Sequence, residues 1–332
     1  MPPSRALAPP PSPHRRSLVL GAMAAAAAPM AWAQSAADAP VRLVVPFTPG
    51  TGIDLIARQI AQPLSERLKR PFFVDNKAGA SGIIGTQEVV RATPDGTTLL
   101  VSVNTLVMNM ALYPKQGFNP LTDLAPVAQT SWGQLLLVTS VPSRIDTLKG
   151  LIERAKARPG ALNYGSPGAG TPHHLAMELL KNRARISLTH ISYRGTAPAV
   201  TDLLAGQIDA MFLPIHVALQ HVKAGKLKAL AISSDTAHPL LPEVPSLGSL
   251  HLGNLNVDMW YGVFAPAGTP SAFIERLNTE LREVLASPTV ARSFETQGMT
   301  PAHSSPDAFQ KLVASDARRW AELIKAQGIT AE

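Results

Sequence analysis

The chain has 332 residues, 30 lysines and arginines against 23 acids, a formal net charge of +7, and no cysteine. Lack of cysteine excludes disulfides, thiolate metal sites, a cysteine nucleophile and a lipid anchor on cysteine. The basic excess is mild and lacks the Lys/Arg run that a nucleic-acid-binding face needs.

The first element is a targeting segment. A Pro-rich basic stretch ends in His14-Arg15-Arg16-Ser17-Leu18-Val19-Leu20, an Ala-dominated apolar run reaches Met30, and Ala31-Trp32-Ala33 follows. Small residues at Ala31 and Ala33 match what a signal peptidase reads, so cleavage is expected between Ala33 and Gln34, with a periplasmic product. The paired arginines suggest the twin-arginine route, with the Sec route as the alternative. The apolar run is too short and alanine-rich for a span of about 20 residues, so the mature chain is expected to carry none. Cleavage removes Arg5, Arg15 and Arg16 and takes the formal charge to +4. Such a balance suits a modestly positive cleft that attracts small anions. A compartment essentially without ATP or NAD argues against a nucleotide ligand.

About 300 residues remain, the size at which one core stops growing and a chain divides in two. Val41–Pro46 reads as a buried strand. The helix after it, from about Ile53 to Leu68, places Ile53, Ile56, Ile60, Leu64 and Leu68 at helical spacing. Phe72–Asp75 is a short strand, Gly79-Ala80-Ser81-Gly82 opens a helix through Val90, and Asp95-Gly96 turns into strand Thr98–Val103. Strand Leu135–Ser140 leads to a helix from Leu148 to Ala157. Strand Ala161–Tyr164, a loop over Gly165–Gly170, and Thr171-Pro172 repeat the opening pattern; Thr at the cap with Pro at the first helical position marks a helix start. Strands follow at Thr189–Ser192, Ala210–Leu213, Ala229–Ser233 and Met259–Ala265, with helices through Pro198–Ala205 and Val217–Ala224 between them. Helices starting at Thr269-Pro270 and Ser305-Pro306 close the chain, the last with Phe309, Leu312, Val313, Trp320 and Ile324 as its buried stripe. Alternation of this kind predicts an α/β fold with largely parallel sheets.

Strand, glycine loop and helix occur together around Gly50, Gly79 and Gly168. In parallel α/β sheets such loops emerge at the carboxyl ends of strands, where ligands bind and helix N-termini hold anions. No phosphate signature accompanies them. The third position after Gly50-Thr51-Gly52 is Leu55 and after Gly168-Ala169-Gly170 it is His173, where a dinucleotide fingerprint needs glycine; no loop has the lysine of a phosphate-binding P-loop. A carboxylate satisfies the same backbone donors. Tyr164-Gly165-Ser166-Pro167-Gly168 resembles a nucleophile elbow, but Tyr164 stands where glycine is required, and Pro167 denies an oxyanion hole its N–H. His173 and His174 are candidate bases for such a hydrolase, or capping and packing groups. Neither His173-His174 nor His216 with His221 has metal-ligand spacing on a helix, so no metal, cofactor or catalytic constellation is expected.

"VVPFTPGTGIDLIAR", "VDNKAGASGIIGTQEVVRATPDGTTLL", "NYGSPGAGTPHHLAMELL", "ISYRGTAPAVTDLLAGQIDAMF", "VKAGKLKALAISS" and "WYGVFAPAGTP" run in order along nearly the whole mature chain. Together they resemble the periplasmic solute receptors of tripartite tricarboxylate transporters, the Bug-type receptors. The resemblance implies two Rossmann-like domains that close on a ligand like a flytrap, here residues 34–136 with 257–332, and 137–256. It implies a monomer without enzymatic activity, a small organic acid as ligand, and membrane transporter subunits or a sensor partner. Carried over by position, it implies ligand contacts from Phe47, Gly50, Thr51, Gly52 and Asp54, from Gly79, Ala80 and Gly82, and from Ser166, Gly168, Gly170 and Thr171. Asp54 reads equally as a structural N-cap, and Arg194 as a ligand contact or a solvated arginine. Thr51 and Ile53 depart from the family's usual P-G-G-x-T-D loop. Leu213-Pro214 replaces a usual Asp-Asn, and Leu213 either favours a more hydrophobic ligand or is packing.

Overall fold

The computed structural model describes residues 39–250, 252 and 257–331. The expected export signal and its cleavage site lie outside them. Eleven strands are described among these residues: β1 Val41–Val45, β2 Phe72–Asn76, β3 Thr98–Val103, β4 Leu124–Gly133, β5 Leu135–Ser140, β6 Asn163–Ser166, β7 Thr189–Ser192, β8 Ala210–Pro214, β9 Leu227–Ile232, β10 Met259–Pro266 and β11 Met299–Pro301. The helices are α1 Gly52–Leu68, α2 Ile83–Val90, α3 Thr105–Leu112, α4 Pro120–Asp123, α5 Leu148–Ala157, α6 Pro172–Ala184, α7 Thr196–Leu204, α8 Ile215–Lys223, α9 Ser271–Ala286, α10 Pro288–Thr296 and α11 Pro306–Gln327.

The strands form two sheets, ordered β11-β4-β10-β3-β1-β2 and β7-β6-β8-β5-β9, the centres of two α/β domains. The chain passes from the first sheet to the second through Gln134 alone, between β4 and β5, and is back in the first by β10. Burial explains the elements. In β1, Val41, Leu43, Val44 and Val45 are sealed, and the Ile53, Ile56, Ile60 and Leu64 face of α1 packs into the same core. Each such side chain contributes about 1.5–3 kcal/mol by leaving water. On the other face, α11 lays Phe309, Val313, Trp320 and Ile324 into the core. Phe309 meets the Trp260 ring edge-on, and Trp260 Nε1 donates to Asp316 Oδ2 at 2.8 Å.

Several expectations need correction. The sheets are mixed: β1 pairs in parallel with β2 and β3, but β10 runs antiparallel to β3 and β4, and β5 antiparallel to β8 and β9. Both exceptional strands follow a passage between sheets, so neither is delivered by a helical crossover that would force it parallel. Strand β6 spans Asn163–Ser166 rather than Ala161–Tyr164, which puts Gly165 and Ser166 inside the ladder. Strand β4 escaped sequence reading because its buried face carries Gln129, Thr130 and Ser131. Helices α3 and α10 also escaped it.

Candidate ligand-binding cleft

The first turns of five helices meet at one small cavity of about 30 Å³. Thr51, Gly52 and Ile53 bring the start of α1, Thr105 that of α3, Thr171, Pro172 and His173 that of α6, Thr196 that of α7, and Pro214 and Val217 that of α8. Phe47, Val103, Pro167, Met259 and Tyr261 complete an apolar wall. Helices α1 and α3 belong with the six-stranded sheet and α6, α7 and α8 with the five-stranded one, so the cavity lies in the cleft between domains. The opening N–H groups of a helix have no partner within it, and its dipole makes that end positive. Among the lining residues there is no lysine, arginine, aspartate or glutamate. Positive potential here therefore comes from backbone.

A wider cavity of about 660 Å³ shares Phe47 and Pro167 with the first. Gly79, Ala80, Ser81 and Gly82 line one side, and Gly168, Ala169 and Arg194 the other. Arg194 is exposed, which suits solvation while leaving it at the mouth. Across this opening Ser81 Oγ donates to the Ala169 carbonyl at 2.6 Å, and the Tyr113 hydroxyl to the same oxygen at 3.2 Å. Ala80 and Ser81 sit in the left-handed region at φ 46° and 52°, which costs an L-residue about 1–2 kcal/mol each. Strain of this kind persists where surrounding structure over-determines it; here Asn109 Nδ2 donates to the Ser81 carbonyl at 3.0 Å.

Glycines stand at points where the two domains come close together. A Cβ on Gly168 would lie 2.6 Å from Ser81 Oγ, and one on Gly52 would lie 2.5 Å from His216 Cε1 and 2.9 Å from the Tyr261 hydroxyl. At Gly52 the absent side chain matters as much as the N–H group.

Asp54 is buried at the third position of α1, whose N-cap is Thr51, so it is not itself the cap residue. Its carboxylate accepts from Gly50 N at 2.9 Å, Asn76 Nδ2 at 3.0 Å and Arg58 Nε at 3.1 Å. Burial pushes its pKa up, but these donors outweigh burial and hold it below the ordinary aspartate value. Asp54 thus ties the first loop to α1 and β2. Asp54→Asn is expected to lower stability by about 1–3 kcal/mol, the range for breaking buried hydrogen bonds to charge. Chemical denaturation would read this as a lower midpoint at unchanged slope.

Ser166 is fully buried and lines neither cavity. Its Oγ lies 2.7 Å from His190 Nε2 and 3.0 Å from the Gly168 carbonyl, fixing the loop after β6. The histidine beside it is therefore His190, not His173 or His174. His174 Nδ1 accepts from Gly170 N at 3.2 Å, and its ring stacks on His190 with centroids 4.3 Å apart. Leu213 is wholly buried in the core of the five-stranded domain, so its role is packing, and Pro214 is the residue that reaches the cavity.

Of the twelve residues singled out from sequence, Phe47, Thr51, Gly52 and Thr171 line the deep cavity. Phe47 also lines the outer one, with Gly79, Ala80, Gly82 and Gly168. Gly50, Asp54, Ser166 and Gly170 lie behind, bonded to neighbours that shape the loops. Sequence reading missed Thr105, Thr196, Met259 and Tyr261 as wall residues. It noticed His173 only as a base or packing group, although Thr171-Pro172 already placed it in a helix's first turn.

A family model described as tripartite tricarboxylate transporter family receptor matches residues 56–329. A relative in Pseudomonas sp. (strain P51), the UPF0065 protein in the tcbD-tcbE intergenic region, is 38% identical over 286 residues, covering 86% of this chain and 85% of its own. The solved periplasmic binding protein BugD is 31% identical with a TM-score of 0.85, covering 89% of this chain and 99% of its own. Rpa4515 of R. palustris, solved with adipate, is 30% identical with a TM-score of 0.85, over 88% of this chain and 98% of its own.

Proposed function

The chain belongs to the tripartite tricarboxylate transporter receptor family, and from that premise we propose that it captures a small organic acid in the cleft and delivers it to membrane transporter subunits. In this reading the chain is exported to the periplasm and cleaved between Ala33 and Gln34. Residues 34–136 with 257–332 then close against residues 137–256. The observation that carries the ligand class is the meeting of five helix N-termini, from both domains, at one cavity without a lining cation. That is an anion site made of backbone. The adipate held by the Rpa4515 structure supports a carboxylate as the anion.

Magnitudes fit. A hydrogen bond to a charged group contributes about 1.5–3 kcal/mol, and micromolar binding requires about 8 kcal/mol. Three or four donors on one carboxylate reach that range after ordering costs. We assign ligand contact to Phe47, Thr51, Gly52 and Thr171, and loop support to Gly50, Asp54, Ser166 and Gly170. Because donors come from both domains, the closed state alone completes the site, and binding selects it.

Melting of the mature chain against mono-, di- and tricarboxylates and aromatic acids tests this. A ligand at a hundred times its Kd adds about 2.7 kcal/mol of stability. A saturable rise in Tm with one acid class is the expected outcome. A flat response across all four classes overturns the carboxylate reading.

A further inference from the structure

The loop between β6 and α6 seats against the other domain at three successive residues. A Cβ on Gly168 would lie 2.6 Å from Ser81 Oγ, and one on Gly170 would lie 3.0 Å from Asn109 Oδ1 and from Leu112 Cδ1. Between them the Ala169 carbonyl accepts from two hydroxyls, Ser81 Oγ at 2.6 Å and Tyr113 at 3.2 Å. Ser81 lies between β2 and β3 and Tyr113 between β3 and β4, all strands of the six-stranded sheet, whereas β6 belongs to the five-stranded one. Two hydrogen bonds thus cross from one domain to a single oxygen of the other.

Neither hydroxyl is a ligand donor in this arrangement. A hydroxyl has one hydrogen to give, and Ala169 takes it, although both side chains line the outer cavity. What the two bonds fix is the start of α6. Two residues after Ala169 comes Thr171, the N-cap of that helix and part of the deep cavity wall. Thr171 Oγ1 donates to the Gly168 carbonyl at 2.7 Å and Ser166 Oγ to the same oxygen at 3.0 Å, so loop and helix start move as one piece. Ser81 is itself held in its left-handed conformation by Asn109 Nδ2 on its carbonyl. Both bonds run between protein groups, so they require the two domains together and no ligand atom.

We propose that Ser81 and Tyr113 form a latch that holds a closed population of the ligand-free receptor and so sets affinity for every ligand by one common factor. This rests on the capture reading above. A ligand that binds only the closed state has an apparent Kd equal to its intrinsic Kd divided by the closed fraction. The latch raises that fraction without touching the ligand, so it strengthens capture and leaves selectivity to the cavity wall. Ser81 and Tyr113 are positioning residues in this sense: they place the α6 N-terminus against those of α1 and α3.

Distances between two spin labels test it in solution. The chain has no cysteine, so Arg91→Cys and Thr201→Cys give one labelled pair. Both positions are exposed, one just past α2 and one in α7, whose starts lie on opposite sides of the outer cavity. Ser81→Ala and Tyr113→Phe are each expected to shift the closed-to-open ratio of the ligand-free protein about threefold, and together about tenfold, the worth of one and two neutral hydrogen bonds. Calorimetry with butyrate, succinate, adipate and benzoate reads the consequence. For every acid that binds, Kd should rise by the factor by which the closed fraction falls, and the ratios between acids should stay as they are. A ligand-free wild type without a short-distance population overturns the proposal, and so does a double variant that keeps that population. Unequal losses among the acids overturn it too, since they would make the hydroxyls ligand contacts. Should the Ser81 variant not fold, Tyr113→Phe decides alone. If no acid raises Tm, the carboxylate reading is what falls, and the label distances still judge the latch.

Discussion

Lowering the pH from 7 to 5 is expected to remove several kcal/mol of folding stability. The cause is three neutral histidines, His173 and His174 buried and His216 partly exposed but packed by protein around its ring. Burial holds the pKa of His173 down to about 3, helped by His216; burial holds His174 at about 4, helped by His190, and His216 at about 4. In the unfolded chain each would titrate near 6.5. Between pH 6.5 and about 4 the unfolded state therefore takes up protons that the folded state refuses, and stability falls as pH falls. Above 6.5 both states are neutral and the contribution is flat. Once below pH 6, each histidine costs about 1.4 kcal/mol per pH unit, so three together cost about 4. A net stability of about 5–15 kcal/mol does not survive many units of that. His221, His238 and His303, lowered for the same first reason, burial, push in the same direction.

Urea midpoints at pH 7.5, 6 and 5 measure this directly. The expected curve is level from 7.5 to 6.5 and steep below. His173→Leu should flatten the steep part by about a third, because one of the three titrations is gone. It should also raise stability at neutral pH, since it removes an imidazole whose two buried nitrogens meet no protein group. A midpoint that does not move between pH 7.5 and 5 would mean that water or local opening reaches these rings.

What was legible in the sequence was local. The segment "VVPFTPGTGIDLIAR" announces a buried strand, a glycine loop and an amphipathic helix, because apolar runs and three-to-four spacing are properties of neighbouring residues. Strand β1 and helix α1 follow it closely. Gly168 and Thr171 were legible likewise, as loop glycine and helix cap. What escaped depends on pairing at a distance. The Ser166–His190 contact exists because β6 and β7 run in parallel, Tyr164 opposite His190 and Ser166 opposite Ser192. No spacing rule links residues 24 apart across two strands. Strand β4 was hidden because polar side chains face the interior, where the pattern asks for apolar ones. Tyr261 joins the cavity wall only because β10 enters the sheet antiparallel between β3 and β4.

Gly52 was chosen from the sequence as an N–H donor, and the structure gives it a second task that leads to the largest expected effect on binding. Gly52→Ala should weaken the ligand by about 100-fold or more, equivalent to about 2.7 kcal/mol, without harming the fold. Gly52 opens α1 with a backbone that an alanine accepts, since its φ is not positive. Alanine is also the better helix former, by up to about 1 kcal/mol inside a helix. Within its own domain the methyl group meets one neighbour, the Tyr261 hydroxyl of β10 at 2.9 Å, which a small turn of that side chain must relieve. The closed cleft adds a contact from the other side: the Cβ would sit 2.5 Å from His216 Cε1, on the opposite domain. Relief requires the domains to part, and parting removes the α6, α7 and α8 N-termini from the ligand. Gly50→Ala is the natural control. It has φ 82° and nothing within 4 Å of a Cβ, so it should strain the loop by about 1 kcal/mol while leaving closure free. The double variant Gly52→Ala/His216→Ala separates sterics from lost donors. If the clash is the cause, the double variant should bind a plain acid more tightly than Gly52→Ala does, a coupling only contacting residues show. Calorimetry on the four proteins, with whichever acid raises Tm most, reads all of these. Wild-type affinity in Gly52→Ala would mean that the ligand is held with the domains further apart, and that the contact between Gly52 and His216 plays no part in capture.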